Sequence, residues 1–313
     1  MNDLVEVRVL TYRRPEWLRH ALSTLISQSH RNWRALVFDD SPDREAVMIL
    51  REFGDPRIEY RPNPRNLGCE ANTNQAFQTR PYVGGSYACI LEDDNWLLPG
   101  FLEDNISALQ ESGLKLLHRN QEIWSRYEDS PKSTGLTTLS NWYEPGVMTP
   151  LQLNAFAFLF PGISHGALFW STDAGFDLYV DENVRDASLQ EYCRGLQIKG
   201  DTLFVPECRA VYADVPPGKS RKPYYHGRVH NRFVAELWRQ LVAKYGNPIV
   251  REAARHAERV GKLAVLERNA NFIGNFHVKR RATTFLQSLN AVARGLASRL
   301  VIRNPIPSYH IPT

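Results

Sequence analysis

A chain of 313 residues, 43% hydrophobic and 23% charged, can bury a large core in one or two domains and is too apolar for a disordered protein. Its four cysteines (Cys69, Cys89, Cys193 and Cys208) form no CxxC pair and no metal-ligand spacing. That excludes a disulfide framework or a zinc module and makes a reducing cytoplasm the expected setting. The net charge of +4 is unevenly spread: residues 251–313 hold 11 Lys/Arg against 3 Asp/Glu, a net of +8, which leaves −4 for residues 1–250.

The first residues, "MNDLVEVRVLTYRRP", run straight into a strand pattern with no apolar signal region. "VEVRVLT" (5–11) reads as the first strand. In "RPEWLRHALSTLISQ" the apolar residues Trp17, Leu18, Ala21, Leu22, Leu25 and Ile26 recur at helical spacing behind Pro15. "WRALVFDD" (33–40) is a second strand, "DREAVMILREFG" a second helix stopped at Gly54, and "RIEYRPN" (57–63) a third strand. "CEANTNQAFQT" is a third helix and "SYACILEDD" the fourth strand. Strand and helix alternating over short connections predict a mostly parallel, doubly wound sheet, whose ligands gather at the carboxyl ends of the strands. "GFLEDNISALQESG" continues as a helix. Loop and strand follow, including a Ser/Thr/Pro-rich stretch at 130–140 read as loop. "HGALFW" is a strand, "DASLQEYCRGLQIKG" a helix and "DTLFVPE" a strand. From about His226 the chain turns helical, with an amphipathic stripe over 282–300. The most apolar window, 151–170, is interrupted by Gln152, Asn154, Pro161, Gly162 and His165, which argues against a membrane span.

Two carboxylate clusters fall on the ligand edge: Asp39 and Asp40 after the second strand, Glu92, Asp93 and Asp94 after the fourth. Adjacent aspartates at a strand end also serve as turn or N-cap residues. Crowded like charge, however, calls for something positive beside it. The loop after the first strand, "LTYRRPEW", is neither a GxGxxG nor a GxxxxGK[ST] sequence, which argues against a dinucleotide oxidoreductase and a P-loop enzyme. A divalent cation on the paired aspartates is then the expected means of holding a phosphate.

Taken in order, "VRVLTYRRPEWLRHALSTLISQ", "WRALVFDDSPDR", "NLGCEANTNQAF", "YACILEDDNWLLPGFLED" and "GFDLYVDENVRDASLQEYCRGLQIKGDTLFVPE" resemble the inverting nucleotide-sugar glycosyltransferases of family 2, over residues 4–210. The resemblance implies a GT-A fold, Rossmann-like, with a mostly parallel sheet flanked by helices and a C-terminal helical region. It implies a nucleotide site of Thr11, Tyr12, Arg14, Asp39, Asp40, Asn66, Gly68 and Asp93. Tyr12 would lie against the base, and Asp40 would accept from a pyrimidine N3–H, which favours a UDP or dTDP sugar. Asp94, with Asp93, would hold Mn²⁺ or Mg²⁺, and His226 or His230 would reach the metal only from a longer loop. Asp186 matches the catalytic base, with Glu182 and Glu191 as alternates, because the family's "ED" pair here reads Arg185–Asp186. An acceptor hydroxyl would attack the anomeric carbon while the carboxylate takes its proton. Arg13 stands where the family often has Asn. Asn66 and Gly68 also suit a loop-shaping role. Lys219, Arg221 and Lys222 suit a basic loop that closes over the diphosphate.

The resulting organisation is a donor-binding half (1–98), an acceptor-side half carrying the base (99–225) and a basic helical region (226–313). That last region suits a peripheral membrane contact, an anionic acceptor, a protein partner or a homodimer, and a solvated basic face accounts for its charge equally well. The partners expected are the nucleoside-diphosphate sugar and a glycan or small-molecule acceptor. Nucleic acid is excluded, because the basic residues carry no interleaved aromatic platform. A nucleotidyltransferase lacks its expected glycine-rich loop, and a catalytically silent nucleotide-sugar binding module is the other alternative.

Overall fold

The structure, a computed structural model, describes residues 3–78, 80–126, 130–139, 142–159, 164–175, 178–181, 183–184, 187–214 and 227–274. Glu182, Asp186, His226, the 219–222 basic loop and the 282–300 stripe lie outside the described residues, as does the side chain of His230.

The chain divides into two compact units. The first comprises Met1–Val147, Ile163–Tyr179 and Ile198–Ser220. It opens with β1 (Val5–Thr11), α1 (Pro15–Ile26), β2 (Trp33–Asp39), α2 (Ala46–Phe53), β3 (Ile58–Pro62), α3 (Cys69–Ala76) and β4 (Tyr87–Glu92), the alternation expected from sequence. β5 (Trp96–Leu97), α4 (Phe101–Ser112), β6 (Leu116–Arg119), β7 (Glu122–Ser125), β8 (Lys132–Thr137) and β9 (Gly146–Met148) follow. Beyond α5 (Pro150–Phe156) come β10 (Leu168–Ser171), α6 (Ala187–Leu196), β11 (Thr202–Val205) and β12 (Ala210–Asp214). The helices α7 (Gly227–Tyr245), α8 (Asn247–Arg259) and α9 (Leu263–Gly274) complete the described chain.

The main sheet has the order β3-β2-β1-β4-β10-β6-β11-β9. β1 pairs in parallel with β2 and β4, and β2 with β3, whereas β10 runs antiparallel between β4 and β6. This is the mixed sheet with flanking helices of the GT-A fold. Strands covered on both faces read as continuous apolar runs, as β4 does; β1 is buried along its whole length although charged residues interrupt its sequence. α1 turns Leu18, Ala21, Leu22 and Leu25 of the stripe expected from its spacing into the core and leaves Trp17 and Ile26 half-buried. A second sheet, β5-β12-β7-β8, extends the unit. Its outer strand β8 lies in the Ser/Thr/Pro-rich stretch read as loop. The physical reason is that β8 is an edge strand, paired among the described residues with β7 alone and exposed over nearly its whole length, so no apolar alternation marks it.

β1 carries two charges into the core. Glu6 and Arg8 are fully buried and paired at 2.9 Å. Glu6 accepts from the backbone N–H groups of Tyr82, Val83 and Gly85 at 2.8–3.1 Å. Arg8 donates to the carbonyls of Ala76 and Gln78, and lies over the rings of Tyr82 and Trp170. The pair thus fastens the segment before β4 to the central strand.

The second unit comprises Met148–Gly162, Val180–Gln197 and Arg221–Thr313. Thr149 opens α5 with a reciprocal capping box to Gln152. Trp238 of α7 donates to Tyr192 Oη at 2.6 Å and to the Ala157 carbonyl at 3.1 Å, while Asn154 donates to Tyr245 Oη at 2.9 Å. Among the described residues, no helix is long and apolar enough to cross a membrane.

Candidate active site

The parallel register sets Thr11 beside Asp39 and Leu10 beside Glu92, so three strands deliver their last residues to one edge. There the chain leaves β4 in a tight turn: Asp93 N–H donates to the Leu10 carbonyl at 3.0 Å, and Asn95 N–H to the Glu92 carbonyl at 3.1 Å. Asn95 locks this turn, donating its side-chain amide to Glu92 Oε2 at 2.6 Å and accepting from Ala213 N–H at 2.8 Å.

Asp93 is buried and fully engaged. Its Oδ2 accepts from Thr11 Oγ1 at 2.9 Å and from Tyr12 N–H at 3.1 Å, and its Oδ1 accepts from Arg14 Nη1 at 3.1 Å. The same Arg14 nitrogen donates to Asp94 Oδ2 at 2.6 Å. Arg14 is therefore the positive group that the crowded strand end requires. Burial and then the charge of Asp94 push the Asp93 carboxyl up, against the opposing pull of Arg14 and Thr11. Burial works to lower the pKa of Arg14, but the charges of Asp93 and Asp94 outweigh it and raise it.

A second network adjoins the first through Asp40 N–H, which donates to the Thr11 carbonyl at 3.0 Å. Asp39 accepts from Ser41 N–H at 2.9 Å and from Tyr60 Oη at 3.0 Å. Asp40 Oδ1 accepts from Asn63 Nδ2 and Leu67 N–H at 2.8 and 2.7 Å, and its Oδ2 from Gly68 N–H at 2.9 Å. Asn66 donates to the Asp40 carbonyl at 3.3 Å. Gly68, at φ +87, turns the chain into α3 with its N–H aimed at that carboxylate, in a conformation that side chains resist. Both aspartates are buried and brace the 63–68 loop, Asp39 through its carbonyl, which accepts from Asn63 N–H at 2.9 Å, and Asp40 through its carboxylate, a use that sequence reasoning overlooked. Tyr12 stands 37% exposed at the same edge. Arg13 adopts φ +54, pairs with Asp43 at 3.5 Å and lies over the Tyr12 ring.

The structure thus gathers Thr11, Tyr12, Arg14, Asp93 and Asp94 into one network and Asp39, Asp40, Asn66 and Gly68 into its neighbour. Glu191 lies on α6 in the second unit, half-buried. Sequence reasoning missed Asn63 and Asn95. No pattern marks them, because each acts through contacts distant in sequence.

Among the described residues, no group of three or more His, Cys, Asp or Glu side chains is placed to hold an ion. One or two carboxylates completed by phosphate oxygens and waters suffice for Mg²⁺. Asp94 fits that need: its side chain is 16% exposed, and only its Oδ2 carries a hydrogen bond among the described residues.

Residues 7–166, just over half of the chain, match the family described as "Glycosyl transferase family 2". The chain belongs to this family. The resemblance to family 2 is thereby confirmed, and four of its five motifs lie within the matched residues. Curated relatives include the UDP-Glc:alpha-D-GlcNAc-diphosphoundecaprenol beta-1,3-glucosyltransferase WfgD of Escherichia coli, 27% identical over 39% of this chain and 48% of that protein. Another is the putative colanic acid biosynthesis glycosyl transferase WcaA of E. coli K12, 27% identical over 32% of this chain and 36% of that protein. The match thus spans about half or less of these relatives' length. Among solved structures, S. aureus TarS 1-349 in complex with UDP-GlcNAc aligns with a TM-score of 0.56 and 12% identity, over 94% of this chain and 91% of that one. The same fragment in complex with UDP gives 0.55 and 14%, over 96% and 93%. At such identities the likeness establishes the fold alone, and that fold is GT-A.

Proposed function

We propose that this family 2 chain is a metal-dependent inverting glycosyltransferase that moves a sugar from a nucleoside-diphosphate sugar to an acceptor hydroxyl. The observation that carries the reading is the network of Thr11, Arg14, Asp93 and Asp94 at the carboxyl ends of β1 and β4. Four polar groups held this closely at a ligand edge are prepared for a charged ligand. A uridine or thymidine donor is supported by Tyr12 as a platform for the base and by the TarS complexes with UDP-GlcNAc and UDP.

In this reading Asp94 holds Mn²⁺ or Mg²⁺, which when bound neutralises charge on the leaving diphosphate. Asp93 fixes the Tyr12 backbone and the Arg14 head, and Arg14 lends positive charge to the phosphate side. Asp40 and Asp39 hold the 63–68 loop against the base pocket, and Asn66 and Gly68 shape it. Asp186, or Glu182 or Glu191 in its place, takes the proton of the acceptor hydroxyl as the new C–O bond forms on the face opposite the diphosphate. The acceptor is a glycan, and the +8 of residues 251–313 suits an anionic carrier or the membrane surface bearing it.

Incubation with UDP-, dTDP- and GDP-sugars tests the reading, with and without Mn²⁺ and for the wild type and Asp94→Asn. Slow hydrolysis of a pyrimidine donor that needs metal and Asp94 is expected, with the released sugar first appearing as the inverted anomer. Metal-independent turnover, or a retained anomer, would contradict the mechanism.

A further inference from the structure

Arg126 follows β7 and joins the second sheet through its backbone N–H, donated to the Asp214 carbonyl at 2.9 Å. Its guanidinium carbon lies 4.8 Å from the centroid of the Trp17 ring and 5.1 Å from that of Trp96. Ring faces attract the cation but accept nothing from its in-plane N–H groups. Nε and Nη1 are shielded from solvent without an acceptor among the described residues. A sheltered charged donor left unmatched is unfavourable and asks for an explanation.

The surroundings supply one. Arg14 lies 4.8 Å from the same Trp17 ring, so two guanidinium groups share one indole beside the carboxylate pair. Arg14 is committed to Asp93 and Asp94. Arg126 is close enough for both carboxylates to raise its proton affinity, against a larger lowering by burial, yet it bonds to neither. A purely structural arginine would be expected to have an oxygen of its own. This one is held beside two tryptophans, and among the described residues no oxygen meets its Nε or Nη1, which suits recognition of a planar or tetrahedral oxyanion.

We propose that Arg126 is a further binding residue of the site, whose guanidinium takes an oxygen of the donor's diphosphate. The inference rests on the glycosyl-transfer reading and adds a residue that no sequence motif marks. As the bond from the anomeric carbon to the diphosphate oxygen breaks, its electron pair stays on that oxygen. Arg126 stabilises the charge by hydrogen bonds without giving up a proton, while the acceptor's proton goes to the carboxylate base.

Calorimetry on the full chain, with UDP, uridine and inorganic pyrophosphate as probes, decides the matter for the wild type, Arg126→Gln and Arg126→Lys, each checked by a thermal melt. The expected result for Arg126→Gln is UDP and pyrophosphate binding weakened about ten- to hundredfold with uridine binding unchanged. Should Arg126→Gln fail to fold, Arg126→Lys decides, because it keeps the charge and loses the planar fork; a several-fold loss for UDP alone is expected. Unchanged binding of all three probes overturns the proposal, as does an equal loss for uridine and UDP. If the wild type binds pyrophosphate but no nucleotide, the glycosyl-transfer reading falls while the pyrophosphate arm still decides Arg126. If it binds neither, both fall.

Discussion

Arg14 holds together two carboxylates that would otherwise repel, and its removal should be felt in both stability and binding. Arg14→Met leaves buried Asp93 beside Asp94 with only Thr11 and the Tyr12 N–H for support. The expected loss is about 1–3 kcal/mol in urea unfolding, below that of a fully buried pair because Arg14 is 34% exposed; an unchanged midpoint would contradict the pairing. Arg13 is the opposite case. Its φ of +54 suits Asn better than Arg, and its exposed pair with Asp43 contributes little. Arg13→Asn should therefore stabilise by about 0.5–1 kcal/mol, and a lower melting temperature would show that the Arg13 contact with Tyr12 matters more. His118 sets part of the pH response. It is fully buried against Tyr143 and Phe204, neither ring nitrogen has a hydrogen-bond partner among the described residues, and burial lowers its pKa to about 3. Between that value and its unfolded value of about 6.5, the unfolded chain binds the extra proton. The contribution of His118 is thus complete above the unfolded value and falls by about 1.4 kcal/mol per pH unit as pH drops through the window. His118→Phe should flatten that acid limb, as unfolding free energies measured from pH 7 to pH 4 would reveal.

At the scale of elements, β1 and the segment before β4 are joined through Glu6 and Arg8, and Gly85 is part of that joint. A Cβ at position 85 would lie 2.5 Å from Glu6 Cγ. Gly85→Ala must therefore displace a carboxylate that holds three backbone N–H groups, at a cost of about 2–4 kcal/mol; a wild-type melting temperature would show that the joint yields freely. The strands and helices of the first sheet were legible because their apolar spacing is local: the stripe of α1 and the apolar runs of β2 and β4 carry it. β8 was not, since an exposed edge strand shows no alternation. The site was legible in its types but not in its connections. The aspartate pairs were evident from "FDD" and "EDDN", and Asn66 and Gly68 suited the loop they shape. That Asp40 braces residues 63–68, that Asn95 ties β4 to β12, and that Arg126 rests on Trp17 and Trp96 depend on contacts between distant segments.

For the molecule as a whole, charge and chemistry are segregated. The first 250 residues carry a net of −4 and include the aspartates, and the last 63 carry +8. If the acceptor lies on an anionic bilayer, the chain should sediment with phosphatidylglycerol vesicles at low salt, leave them as salt screens the attraction, and ignore phosphatidylcholine. Equal binding to both lipids would contradict an electrostatic contact. In the proposed function the carboxyl ends of β1, β2 and β4 form a metal-assisted site for a pyrimidine diphosphate. Calorimetric titration with UDP, with and without Mn²⁺, on the wild type and on Asp94→Ala tests it most directly. The account predicts metal-dependent binding in the wild type that is lost in the variant while its fold is kept. UDP binding that is absent from the wild type, or that survives Asp94→Ala unchanged, would contradict it.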